Sequence, residues 1–152
     1  MSLFPGKVVW MTGAGTGIGR AGALMFAREG ATVALMGRRR EPLEEVATEI
    51  SAGGGRAVVA PLDVAERADV ERVTRELGAT LGRVDVLVNN AGLNVIGNGR
   101  RMENLTPEDF DFVLRVNLVG QYNMFHAAFA PMRAQQDGLI INVASTAAKR
   151  VS

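Results

Sequence analysis

Glycine residues are concentrated in one short segment near the start of the chain, between an apolar run and a segment of helical composition. The segment from Thr12 to Gly19 reads Thr-Gly-Ala-Gly-Thr-Gly-Ile-Gly. Glycine lets a backbone turn sharply and approach a pyrophosphate, whose charge is stabilised by the N–H groups and dipole of the following helix. The pattern predicts a phosphate site, and its alternative is a tight turn without a ligand. The predicted binding residues are Gly13, Gly15, Thr16, Gly17, Ile18 and Gly19.

A basic cluster follows the next apolar run, at the place where NAD-preferring enzymes usually carry an acidic residue that holds the ribose hydroxyls. In this chain that place reads Gly37, followed by the three arginines Arg38 to Arg40. Guanidinium groups bind a 2′-phosphate through charge-assisted hydrogen bonds, whereas a carboxylate repels it. The sequence therefore favours NADP over NAD as the cofactor. The alternative is a solvated basic corner, neutralised by Glu41, Glu44 and Glu45.

Polar residues that suit ligand binding or catalysis occur at four further places. They are Asp63 with Val64, the segment Asn89-Asn90-Ala91-Gly92, Asn117 and Ser145. Some of them have plain structural interpretations, since Asp63 can cap a turn and the paired asparagines can satisfy loop backbone groups. Asn117 differs, because asparagine is a poor helix former and burying its amide is costly without a specific partner. That cost favours a role for Asn117.

The elements that must position these residues follow from the alternation of apolar runs with segments of helical period, which predicts parallel strands and crossover helices. The predicted strands are Lys7 to Thr12, Thr32 to Met36, Arg56 to Leu62, Val84 to Asn89 and Leu139 to Ala144. Each is continuously apolar, as expected of strands covered on both faces. The predicted fold class is therefore α/β, a doubly wound parallel sheet of Rossmann type, and residues 1–152 are predicted to form one dinucleotide-binding domain.

Helix signals lie between these strands. A second helix is predicted to begin near Pro42 and to stop at the glycines that start with Gly53, and a third runs from about Glu66 to Leu81. Thr106 reads as the N-cap of a long helix, because a first-turn proline and two acidic residues follow it. The segment Leu93 to Asn104 is predicted to be a loop.

Together, in this order, the segments resemble the short-chain dehydrogenase/reductase family with its TGxxxGxG cofactor turn. The resemblance implies that Asp63 and Val64 bind the adenine, and that Asn90, Ala91 and Gly92 lie beside the cofactor. It also implies that Asn89 holds strands together. It places Gly37 at the acidic position, Arg38 at the phosphate-binding position and Arg39 as a second candidate, and it matches Asn117 and Ser145 to catalytic residues.

The activity implied by the resemblance is hydride transfer between NADP, or NAD, and a ketone or secondary alcohol. Ser145 then hydrogen-bonds the substrate oxygen, and Asn117 holds a water of the proton relay. The family's proton-donating tyrosine and its lysine have no match, because His126 stands four residues after Tyr122 and Lys149 follows Ser145 too closely. We therefore expect an N-terminal portion that lacks the C-terminal part of the domain; a naturally short, inactive protein is the alternative.

Two other functions stay open at this point. One is a 3-oxoacyl-thioester (acyl carrier protein) reductase of the same family, and the other is a noncatalytic NADP-binding sensor or scaffold. A nucleotide-sugar epimerase is disfavoured, because Thr16 stands where its turn requires glycine.

Composition limits the partners. The 17 basic and 16 acidic residues nearly balance, which argues against nucleic acid and anionic membranes, and the absence of cysteine excludes disulfides and thiolate metal sites. No histidine and carboxylate cluster has metal-ligand spacing.

We expect a small carbonyl or alcohol substrate, a location in the cytoplasm, and a homo-oligomer that is a dimer or tetramer. Core or subunit packing is expected for the helically spaced Phe110, Met124, Phe125 and Phe129.

Overall fold

A computed structural model describes residues 2–94 and 104–145. Within these residues the chain forms five strands and five α-helices. The strands are β1 (Val8–Thr12), β2 (Thr32–Gly37), β3 (Arg56–Pro61), β4 (Val86–Asn89) and β5 (Leu139–Asn142). The helices are α1 (Gly17–Arg28), α2 (Arg40–Ala52), α3 (Arg67–Leu81), α4 (Pro107–Leu114) and α5 (Gly120–Gln135), with a π-helical turn at Arg115–Val119 between the last two.

All five strands are parallel and lie in the order β3-β2-β1-β4-β5. The chain winds outward from β1 to β3, then returns to the other side of β1 for β4 and β5. The direction of winding therefore reverses between β1 and β4, and doubly wound sheets bind ligands at the carboxyl ends of the strands beside such a reversal. The predicted fold class is confirmed.

Two apolar cores cover the two faces of the sheet. On one face, α1 and α2 pack against side chains such as Val9, Met11 and Leu35. On the other face, α3 and α5 pack against side chains such as Trp10 and Leu87. Burial on both faces explains why the strands read as unbroken apolar runs rather than as alternating ones.

The long helix begins where its local sequence predicts. The Thr106 hydroxyl accepts a hydrogen bond from the Asp109 N–H, and the Asp109 carboxylate accepts one from the Thr106 N–H, which forms a capping box. The predicted long helix is confirmed over residues 107–135, and a π turn at Arg115–Val119 within it joins α4 to α5. A π turn widens the helix by one residue and rotates the residues after it about the helix axis.

The predicted strand ends differ from the observed ones by one or two residues. The differences of two residues concern β4, which begins at Val86 and not at Val84, and β5, which ends at Asn142 and not at Ala144. Among the described residues the neighbour of β5 in the sheet is β4, whose last residue, Asn89, pairs with Asn142 and accepts one further hydrogen bond from the Val143 N–H. Ser145 therefore lies in a segment after the strand, and Lys149 and most of the predicted loop from Leu93 to Asn104 lie outside the described residues.

Charged residues meet at the amino ends of the central strands. The Asp85 carboxylate is almost fully buried and accepts hydrogen bonds from the Val8 N–H, the Lys7 ammonium and the Arg83 guanidinium, while Lys7 also contacts Asp137. Burial raises the pKa of Asp85, but the bonds from Arg83, Val8 and Lys7 outweigh it and hold that pKa below its ordinary value of 3.8. This cluster fixes the edge of the sheet opposite to the glycine turn.

Candidate functional site

The predicted ligand-binding residues converge at the carboxyl edge of the sheet, around the reversal between β1 and β4. A cavity of about 120 Å³ lies between the glycine turn and the start of α2, with Gly15, Thr16 and Arg39 in its wall. A second cavity of about 160 Å³ has Asp63, Val64, Ala91 and Gly92 in its wall. Gly13, Gly37 and Arg38 line both cavities. The two cavities therefore adjoin along this edge, and we call the two together the groove.

The glycine turn requires glycine for two different reasons. Gly13 has a φ of +65°, in the left-handed region that side chains disfavour. Gly19 lies so close to the preceding turn that an added Cβ would be 2.1 Å from the Gly13 carbonyl oxygen. Helix α1 begins at Gly17, and Thr16 gives it no side-chain cap. Among the described residues, the first N–H groups of α1 therefore have no side-chain acceptor, which suits a phosphate group.

Thr12 joins the glycine turn to the segment after β4. Its buried hydroxyl accepts hydrogen bonds from the N–H groups of Asn90 and Ala91, both at 2.9 Å, and donates one to the Val88 carbonyl. In return, the Asn90 side-chain amide donates to the carbonyl oxygens of Thr12 and Gly13. The side chain of Asn90 thus supports the glycine turn, and its direct contact with a cofactor stays a prediction. Sequence reasoning did not single out Thr12 as a site residue, although a threonine at the end of a central strand is a signal.

The three consecutive arginines have different surroundings. Arg40 lies in the first turn of α2 and forms an ion pair with Glu44. Arg38 and Arg39 are exposed beside the glycine turn, and neither has an ion-pair partner among residues 2–94 and 104–145. The alternative of a basic corner neutralised by glutamates therefore holds for Arg40 alone, and two guanidinium groups stay available to an anion.

The segment after β3 is held by several hydrogen bonds. The Asp63 N–H donates to the Asp69 carboxylate, and one oxygen of the Asp63 carboxylate accepts from the Ala65 N–H at 2.9 Å. Burial raises the pKa of Asp69, but the Asp63 N–H and the Arg72 guanidinium outweigh it and hold that pKa below its ordinary value. Asp63 therefore does form a turn, as the plain interpretation expects. Its location in the wall of the second cavity shows that the turn also borders the groove.

Asn117 has the specific partner that its position in a helix requires. Its Oδ1 accepts from the Leu93 N–H at 2.8 Å, and its Nδ2 donates to the Leu93 carbonyl at 2.9 Å. The side chain thus fixes the segment that comes after Gly92, at the π turn of the long helix. The second lone pair of its Oδ1 and the second N–H of its amide can still bind a water.

Ser145 lies on the same edge of the sheet. Ser145 is exposed and comes three residues after the end of β5. Because β5 pairs with β4, Ser145 and the Asn90 segment follow neighbouring strands. Just before this segment, the Asn89 Nδ2 donates to the Asn142 Oδ1 at 3.0 Å, so that Asn89 joins β4 to β5. Asn142 was not among the predicted site residues, since it reads as one polar residue at the end of an apolar strand.

Three further features concern other kinds of function: metal-binding groups, membrane-spanning helices, and the pair of Tyr122 and His126. They contain no group of histidine and carboxylate side chains that could hold a metal ion. No helix among them is long and apolar enough to cross a membrane. Tyr122 and His126 lie next to each other on the exposed side of α5, with ring centroids 6.1 Å apart.

Comparisons with known proteins agree with one another. A family model described as short chain dehydrogenase matches residues 7–152. An uncharacterised oxidoreductase of Thermotoga maritima is 42% identical over 144 residues, which are 95% of this chain and 55% of that protein. A 3-oxoacyl-[acyl-carrier-protein] reductase of the same organism is 37% identical over 140 residues, which are 92% of this chain and 56% of that protein.

Structural comparison gives the same result. The crystal structure of a metagenomic short-chain oxidoreductase in complex with NADP matches with a TM-score of 0.91 and 36% identity, over 98% of this chain and 66% of that one. The chain spans a little over half of the length of the two curated relatives, at 55% and 56%.

Proposed function

The chain belongs to the short-chain dehydrogenase family, and on this basis we propose that it is an oxidoreductase that uses NADP to interconvert a ketone and a secondary alcohol. The observation that carries the proposal is the groove at the carboxyl edge, where the glycine turn and two guanidinium groups without an ion-pair partner in the described part of the chain line the same cavity. A solved family member that is 36% identical over nearly the whole chain was crystallised with NADP.

The residues of the groove fit such a dinucleotide. The turn around Gly13 and Gly19 leaves no room for side chains, so a diphosphate can approach the uncapped N-terminus of α1. Arg38 and Arg39 offer charge-assisted hydrogen bonds to a 2′-phosphate, and Gly37 offers no carboxylate to repel it. These features support NADP as the preferred cofactor, with NAD as the second choice.

The bound cofactor supplies or accepts the hydride at its nicotinamide ring. The oxygen of the reacting carbonyl then carries negative charge, which a hydrogen-bond donor must stabilise and a proton must neutralise. We assign the hydrogen bond to the Ser145 hydroxyl. We assign two roles to Asn117. Its side chain supports the Leu93 segment, and it binds a water of the proton relay. The proton donor itself has no candidate among the described residues.

A second candidate substrate class is a 3-oxoacyl thioester. It is favoured by the similarity to a 3-oxoacyl-[acyl-carrier-protein] reductase, at 37% identity. The groove at the carboxyl edge binds the cofactor in both cases. The two candidates are therefore distinguished by comparing the turnover rate on a 3-oxoacyl thioester with the turnover rate on simple ketones.

The proposed cofactor is tested by titrating the complete protein with NADPH and with NADH. We expect tighter binding of NADPH, and Arg38→Ala and Arg39→Ala each lower this preference by about tenfold, which corresponds to one charge-assisted hydrogen bond of about 1.4 kcal/mol. Arg40→Ala is the matched control, because Arg40 is already paired with Glu44. Equal affinity for the two dinucleotides overturns the NADP assignment, and no binding of either one overturns the proposed function. Binding without turnover of any carbonyl compound favours a sensor.

The long helix also supports the predicted homo-oligomer. Its side away from the sheet carries large apolar side chains that are exposed in the single chain: Phe110, Leu114, Leu118, Tyr122, Phe125 and Phe129. Of the helix residues expected to pack in the core or between subunits, Met124 is fully buried and belongs to the core. A row of exposed aromatic and aliphatic side chains is typical of a surface that a partner covers.

A further inference from the structure

Three side-chain amides on the long helix each hydrogen-bond the backbone of another segment. Asn117 holds Leu93, after β4; Gln135 holds Val84, before β4; and Asn123 holds Val64, after β3. The last of these bonds joins the Asn123 Nδ2 to the Val64 carbonyl oxygen at 2.9 Å, and both residues are buried. Two of these contacts, those to Leu93 and Val64, hold residues that line the groove.

The bond from Asn123 acts on the peptide group between Val64 and Ala65. The carbonyl of this peptide accepts from Asn123, and its N–H donates to one oxygen of the Asp63 carboxylate. The peptide is therefore fixed at both ends, and its orientation sets the orientation of Asp63. One oxygen of Asp63 is engaged by Ala65, the second has no hydrogen-bond partner among the described residues, and Asp63 lines the groove.

We infer that Asn123 is a positioning residue for recognition of the adenine base, acting through the Val64–Ala65 peptide on the Asp63 carboxylate. The inference rests on the proposed function and on the prediction from the family resemblance that Asp63 and Val64 bind the adenine. A carboxylate oxygen accepts a hydrogen bond from the adenine 6-amino group, and the Val64 N–H, which has no acceptor among the described residues, donates to the neighbouring ring nitrogen. Both groups belong to the segment that Asn123 holds.

A purely structural role predicts a different outcome. If the amide of Asn123 only stabilises the fold, its loss weakens every ligand equally or none. If it positions Asp63, its loss weakens ligands that carry adenine more than ligands that carry hypoxanthine, because hypoxanthine has a carbonyl oxygen in place of the amino group. The ratio of the two affinities is therefore the informative quantity.

The test is a titration of the complete protein with NADPH and with its hypoxanthine analogue. We expect the wild-type protein to prefer NADPH, and Asn123→Leu to lower this preference about five- to tenfold, which is the effect of one neutral hydrogen bond. If Asn123→Leu does not fold, Asn123→Ala replaces it. Gly120→Ala offers an independent route to the same segment, since its added Cβ would be 2.6 Å from Val64 Cγ2 and must displace it.

The matched control is Gln135→Leu. Gln135 is an amide on the same helix and holds the Val84 backbone by two hydrogen bonds, at the amino end of β4 and away from the groove. This variant is expected to lower the melting temperature and to leave the preference for adenine unchanged. An unchanged preference in Asn123→Leu, or an equal loss in Gln135→Leu, overturns the inference. Failure of the wild-type protein to bind NADPH instead overturns the proposed function on which the inference rests.

Discussion

Thr12 and Asn90 hold each other across the reversal point of the sheet. The Thr12 hydroxyl accepts from the Asn90 N–H at 2.9 Å, and the Asn90 side-chain amide donates to the Thr12 carbonyl at 3.1 Å. Because Thr12 ends β1 and Asn90 follows β4, these bonds connect the glycine turn directly to the segment on the other side of the groove.

We expect Thr12→Val to weaken NADPH binding and to lower the free energy of unfolding by about 1–3 kcal/mol, because the N–H groups of Asn90 and Ala91 lose their shared acceptor. Valine keeps the volume and β-branching of threonine, so packing changes little. The measurements are cofactor titration and denaturant unfolding. Thr74→Val is the control, since within the described residues the buried Thr74 hydroxyl bonds the Val70 carbonyl of its own helix and no other group. Unchanged affinity in Thr12→Val would contradict the coupling.

Ser145→Ala should lower kcat of the complete enzyme by about 100-fold or more, the usual effect of removing one donor to a developing oxyanion. The cofactor affinity should change by less than about twofold, because the serine follows β5 and lies outside the walls of the two cavities. Steady-state kinetics on a ketone substrate and NADPH titration measure the two quantities. Ser51→Ala, at the exposed end of α2, is the control. A kcat equal to that of the wild-type enzyme would remove Ser145 from the mechanism.

The pH dependence of stability should report on Asp85. The folded-state pKa of Asp85 lies below its ordinary value of 3.8. The contribution of the Asp85 carboxylate to the free energy of unfolding is therefore complete above the unfolded-state pKa, and it is lost as the pH falls from about 5 through the folded-state pKa. Asp85→Asn is therefore expected to cost about 1–3 kcal/mol at pH 7 and progressively less below pH 5. Melting temperatures of both proteins at several pH values test this.

The control for this prediction is Asp137→Asn. Asp137 shares Lys7 with Asp85, but its side chain is 66% exposed, and a surface ion pair contributes little. The prediction is contradicted if the difference in stability between the wild-type protein and Asp85→Asn stays constant from pH 7 to pH 3. In that case the negative charge of Asp85 does not stabilise the fold.

The apolar row on the long helix predicts an oligomer of the complete protein. Phe129→Glu should shift the mass measured by light scattering toward the monomer, because the 47% exposed Phe129 belongs to this row. Met25→Glu is a matched control, because Met25 is 64% exposed on α1, on the opposite face of the sheet. A monomeric wild-type protein, or dissociation by both variants alike, would contradict the proposed interface.

The elements that could be predicted from sequence are those that local chemistry determines. Thr106, with a proline and two acidic residues after it, starts a helix whatever surrounds it, and the strands read as apolar runs because both sheet faces are buried. The glycine turn is equally local, since close approach and a positive φ exclude most other residues. These signals suffice for the order of the elements and for the confirmed family and fold class.

The rest depends on contacts between distant segments. The π turn occurs where Asn117 bonds Leu93 and Gly120 lies against Val64, and neither partner is visible from the helix sequence alone. The end of β5 depends on where β4 stops. Thr12 was missed as a site residue for the same reason, because its role depends on the backbone of Asn90, which is 78 residues away in the chain.

The charged cluster around Asp85 and the groove at Gly13 stand at opposite ends of the same strands. Since β1 has five residues, the two are separated by roughly 16 Å, at about 3.3 Å per residue, and they share no side-chain partner in the part of the chain that the structure describes. Substitutions at such a distance usually combine additively. We therefore expect that heat tolerance can be changed at one end of the strands and the proposed preference for NADP at the other, each without an effect on the other property.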